Sequence, residues 1–161
     1  MPAARSDAIA LVRTLHAGDG SPIGARPLKV GESVLVRVQV KPKVHIGNGL
    51  VVDHIPAGLE IENLNLVQGE AMGSVAIAGI DPAAAMADRR IQHVEFRDDR
   101  FVAAVRLQGE INLFYRARVV TPGRFVVPPV YAEDMYRPDT YGLAEGDGSL
   151  TVIDGKEKAA P

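Results

Sequence analysis

Apolar and polar residues alternate along most of this chain, so its dominant period is two. In Val34-Leu35-Val36-Arg37-Val38-Gln39-Val40-Lys41 the four valines fall on one side and Leu35, Arg37, Gln39 and Lys41 on the other. Alternate side chains of a strand project to opposite faces, so this run predicts a half-buried strand, punctuated by Gly31 and Pro42. Phe101, Ala103, Val105 and Leu107 align in the same way. So do Ile111, Leu113, Tyr115, Ala117 and Val119, opposite Asn112, Arg116 and Arg118. Gln108-Gly109-Glu110 between them is short enough for a hairpin turn, and residues 92–96 read as another strand upstream. Three consecutive strands with tight connections are expected to form an antiparallel meander. Thr121-Pro122-Gly123 then turns the chain into a short strand over residues 124–127.

The first half carries weaker strand patterns at residues 8–15, 50–55 and 59–62, the last two separated by Pro56-Ala57-Gly58, and residues 150–153 read as a closing strand. One helix is predicted, over residues 81–90. Asp81 can cap it, Pro82 suits the first helical position, and Ala83-Ala84-Ala85-Met86-Ala87 has high helix propensity. Many short strands with one brief helix predict an all-β fold, a two-sheet antiparallel β-sandwich with one short helix. No internal repeat or linker divides the chain, so residues 1–161 are expected to form a single domain, with 155–161 as a solvated flexible tail.

Composition excludes several functions. The net charge is −2 with Lys and Arg scattered, so no basic patch favours nucleic acid or a membrane surface. Cysteine is absent, which removes disulfides, thiolate metal sites, a cysteine nucleophile and an internal thioester. No apolar run reaches the ~20 residues that span a bilayer. The N-terminus lacks the apolar core of a signal peptide. Read as a whole protein, the chain would be cytoplasmic; read as a piece of a longer one, its address lies upstream.

Catalytic patterns are missing as well. His16, His45, His54 and His93 do not stand in metal-ligand spacing, and Asp53 and His54, adjacent on a strand, face opposite ways. None of the five serines lies in G-x-S-x-G. Asp98-Asp99 and Glu133-Asp134 read as solvated pairs and lack the opposed geometry of an acid and a base. The chain is expected not to be an enzyme, and to need neither cofactor nor metal.

The informative stretch runs from Phe114 to Gly142. Pro128-Pro129 forbids a regular central strand and imposes a stiff, extended connection. Met135-Tyr136-Arg137-Pro138 then places a soft apolar side chain, an aromatic ring and a guanidinium in an expected loop, where such residues often cover something. On residue type alone, Met135 and Tyr136 could equally fill the edge of the sandwich.

With Val120-Thr121-Pro122-Gly123, Val127-Pro128-Pro129 and Met135-Tyr136-Arg137-Pro138 in order, this stretch resembles the C-terminal domain of bacterial α2-macroglobulins, the MG10-type macroglobulin domain. Residues 51–63 and 95–103 agree, and the resemblance runs from about residue 34 to about residue 152. It implies a macroglobulin-type β-sandwich at the end of a long, envelope-anchored or secreted periplasmic protein that traps proteases. In that scheme a cut in the bait region exposes a thioester held in a separate domain. The partners implied are other domains of the same parent chain, the thioester domain and a neighbouring macroglobulin domain, and, indirectly, the target proteases. Met135 and Tyr136 would approach and shield the thioester, while Pro128, Pro129, Tyr131, Arg137 and Pro138 would position the loop. A surface β-sandwich that binds a protein or a glycan, stand-alone or repeated, is the other reading. The low aromatic content, 5% with no Trp, disfavours a sugar platform.

Overall fold

Two alternating faces that are apolar on one side must be buried against each other, and the chain does this with two facing sheets. The structure, a computed structural model, describes residues 8–24, 26–62, 76–77, 79–144 and 148–154; the tail expected at 155–161 lies outside them. The strands are β1 (Ile9–Ala17), β2 (Leu28–Lys29), β3 (Ser33–Pro42), β4 (Ile46–His54), β5 (Leu59–Ile61), β6 (Ile91–Phe96), β7 (Arg100–Leu107), β8 (Ile111–Val119), β9 (Gly123–Val126), β10 (Val130–Asp134), β11 (Arg137–Leu143) and β12 (Ser149–Ile153), with helix α1 (Pro82–Met86) between β5 and β6. A four-stranded sheet has the order β1-β3-β8-β5 and a five-stranded sheet the order β11-β10-β4-β7-β6. A third, small sheet, β2-β12-β9, joins them, with β2 parallel to β12.

The core lies between the two larger sheets. Val34, Val36, Val38 and Val40 of β3 and Ile111, Leu113, Tyr115, Ala117 and Val119 of β8 face Phe101, Ala103, Val105 and Leu107 of β7, and all are buried. Leu28, Leu150 and Val152 of the small sheet belong to the same cluster. On the outer side of the four-stranded sheet, Leu35 and Phe114 are capped by Ile77 and by Ala85 and Met86 of α1.

The expected meander is corrected. β6 pairs with β7, but β8 lies in the opposite sheet, beside β3 and β5. The apolar faces of β7 and β8 meet across the core, not edge to edge, so the connection at 108–110 is a crossing between sheets. The helix is also shorter than the predicted 81–90. Asp81 does cap it, accepting from the Ala83 N–H at 3.1 Å. Beyond Met86, however, the Asp88 carboxylate accepts from the Arg90 N–H at 2.9 Å, and this local turn competes with further helix.

β1 ends in a turn closed by a histidine. His16 is buried, its Nδ1 3.1 Å from the Gly20 carbonyl and its Nε2 2.9 Å from Thr14 Oγ1. The carbonyl requires Nδ1 to donate, and in the neutral ring the Thr14 hydroxyl then donates to Nε2. Burial, with a smaller contribution from Arg37, pushes the His16 pKa below its ordinary 6.5. The unfolded chain therefore takes up a proton first as pH falls below 6.5. The stability contributed by neutral His16 is complete above that value and is lost as pH drops through the lower folded value. Between pH 8 and pH 5.5 the melting temperature of the native chain is expected to fall further than that of His16→Gln; equal falls would contradict this.

Candidate functional site

The Met135-Tyr136 segment is not a long loop. Asp134 pairs with Arg137, so Met135 and Tyr136 are the two turn residues of the β10–β11 hairpin, and Arg137 and Pro138 already belong to β11. β11 is the edge of its sheet, and an edge strand tolerates a proline that cannot donate to a ladder. The tip's backbone is held twice. The Tyr136 N–H donates to Asp134 Oδ1 at 3.0 Å, and the Met135 N–H donates to the Asn48 carbonyl at the start of β4 at 2.9 Å. The side chains remain outside: Met135 is 42% and Tyr136 79% exposed. A fixed backbone thus presents two large apolar groups to whatever lies beyond it.

The other residues expected to position this segment are distributed along the hairpin. The Tyr131 and Tyr141 rings lie 6.1 Å apart at 30° on its two strands. Burial, with help from the negative charge of Glu133, raises the Tyr131 hydroxyl pKa. Arg137 is exposed beside the tip. Pro128 and Pro129 lie in the connection from β9 into β10 and do not enter the strand.

Behind the hairpin's base lies a polar group that no sequence motif marks. Asp53 of β4 is fully buried. One of its oxygens accepts from Arg13 Nη1 of β1, and the other from the Tyr115 hydroxyl of β8 at 2.5 Å. Arg13 Nη2 donates to the Pro128 carbonyl. Phe101 stacks on Tyr115 with ring centroids 4.8 Å apart and holds the phenol in place. Burial pushes the Asp53 carboxyl up, and the Arg13 charge and the Tyr115 hydroxyl oppose this. Burial also drives the Tyr115 hydroxyl well above its usual range. These groups hold one another in the interior, and all stand at structural positions. The Asp53 signal was present in the alternation, since it shares the inward face of β4 with Val51. His54 points outward, as adjacent strand positions require.

Neither a metal cluster nor a membrane-crossing helix occurs among the described residues. What the arrangement offers is a rigid, apolar-tipped hairpin on a sandwich scaffold, and that scaffold matches known proteins. The sequence model of the bacterial alpha-2-macroglobulin MG10 domain matches residues 9–139. The chain belongs to this family. An alpha-2-macroglobulin of Xylella fastidiosa (strain Temecula1 / ATCC 700964) is 43% identical over 154 residues, covering 94% of this chain and 9% of that protein. Native Escherichia coli alpha-2-macroglobulin superposes with a TM-score of 0.84 at 34% identity, over 95% of this chain and 10% of that one. Salmonella alpha-2-macroglobulin reacted with methylamine superposes with a TM-score of 0.80 at 36% identity, over 94% and 10%. The MG10 chain thus spans about a tenth of the length of the alpha-2-macroglobulins it resembles, and its counterpart there is one region of a larger multidomain chain.

Proposed function

We propose that this chain is the non-catalytic C-terminal domain of a periplasmic, broad-spectrum protease trap, and that its hairpin tip packs on and shields the thioester domain until the bait is cleaved. The observation that carries the reading is the pairing of a tethered backbone with exposed apolar side chains at Met135 and Tyr136. A buried thioester survives only if water and amines are kept from it. Methionine and tyrosine offer bulky, adaptable cover, and a turn anchored to Asn48 and Asp134 loses little further freedom on docking. Reaction of the Salmonella relative with methylamine supports that amine as the probe.

In the full-length parent, Tyr136→Ala is expected to speed thioester loss to methylamine about tenfold, since truncating a central interface aromatic costs more than ~1 kcal/mol. Thiol release over time measures it. An unchanged lifetime would remove the shielding role, and the exposed tip would then fit a protein-binding sandwich better.

A further inference from the structure

Stability alone does not account for a buried group such as Arg13–Asp53–Tyr115. Replacing a buried ion pair by apolar residues of similar volume is often neutral or stabilising. Its value lies in what it touches. Asp53 is the register partner of Val130, the first residue of β10, and Arg13 also grips the carbonyl of Pro128, two residues earlier. We propose that Arg13 is a positioning residue whose guanidinium, held by the Asp53 carboxylate that Tyr115 also bonds, sets the register at which β10 enters the sheet and so places the Met135-Tyr136 tip.

Two features of β10 bear on how its entry is set. Pro128 and Pro129 have no N–H, so the entry cannot be fixed by ladder bonds from those residues. The inward-facing residues of β10 are only Val130 and Ala132. A one-residue slip would turn both outward, whereas a two-residue slip keeps the faces and brings either Asp134 to the inward position of Ala132 or Pro128 to that of Val130. It would displace the tip by ~7 Å at the strand rise of about 3.4 Å per residue. A planar fork engaging a carboxylate and a carbonyl at once admits one register, because both acceptors must be met together. The same rise puts the clamp roughly 17 Å from Met135, so it acts through the strand and not by contact.

The inference deepens the shielding reading, yet tip placement can be measured without any thioester. Hydrogen exchange in the 161-residue chain compares two variants with the native sequence. One is the charge-free triple Arg13→Met/Asp53→Leu/Tyr115→Phe; the other is Arg13→Lys, which keeps the charge facing Asp53 but loses the fork. In both, the Met135 amide, normally held by Asn48, is expected to exchange about tenfold faster while Val36 and Leu113 in β3 and β8 keep their protection. The Met135 methyl resonance should shift in parallel. A folded variant with native protection at Met135 would overturn the proposal. So would an equal loss of protection at Val36 and Leu113, which would make the group a core support only. If the triple variant does not fold, Arg13→Lys decides by the same readout. Native tip exchange in Arg13→Lys, combined with faster methylamine loss in Tyr136→Ala, would leave shielding standing and remove the clamp.

Discussion

Asp53→Ala is expected to be the most damaging single substitution of a side chain in this protein, at about 3–5 kcal/mol. The methyl group leaves the Arg13 guanidinium, whose side chain is only 4% exposed, without its carboxylate, and strands the Tyr115 hydroxyl between the sheets. The Tyr115 hydroxyl cannot turn to water without opening the sandwich, so its desolvation cost is retained while the attraction is lost. For a chain of this length the loss corresponds to a melting temperature lower by roughly 6–20 °C. A denaturation series on the native chain and the variant measures it, and a difference below about 1 kcal/mol would mean that solvent reaches Arg13 more easily than its burial implies. The charge-free triple variant removes both sides of the pair and should cost far less. The contrast between the two separates the worth of the ion pair from the cost of breaking it.

Gly142→Ala is the second. β11 crosses β1 so closely that a Cβ on Gly142 would stand 2.1 Å from the Ile9 carbonyl oxygen and 2.9 Å from its carbonyl carbon. The obstacle is backbone, and it is tied down: Ile9 pairs with Pro42, and the Lys43 N–H donates to the Ala8 carbonyl at 2.7 Å. The hairpin must therefore lift off β1, at about 3 kcal/mol by the usual cost of overpacking. At Gly58 the nearest atom to an added Cβ is also very near, 2.4 Å, but it belongs to the half-buried Phe125 ring, which can swing aside. Gly142→Ala should thus destabilise more than Gly58→Ala in parallel thermal melts. The reverse order would show that β1 yields more easily than an aromatic ring.

Much of this was legible in the chain itself. Alternation located β3, β7 and β8 to within a residue or two, because each has one wholly apolar face and length enough to show it. It could not show which sheet a strand joins. β7 and β8 have the same pattern whether their faces lie side by side or opposed, and only packing decides. β2 was too short to register, and β10 and β11 were hidden by their prolines and by small inward residues such as Ala132 and Gly142. For the site, Met135 and Tyr136 stood out as large apolar residues among turn formers. Arg13, Asp53 and Asn48 did not, since Arg13 and Asp53 meet 40 residues apart and Asn48 contributes only its carbonyl.

Of the passages the chain makes between the two large sheets, those at 43–45, 55–58 and 108–110 are connections of only a few residues. These three short stitches and the salt bridge from Arg13 on the edge strand β1 to Asp53 on β4 tie the two layers together. Strain imposed on the hairpin therefore reaches the opposite sheet through covalent links and a side-chain bridge as well as through apolar packing.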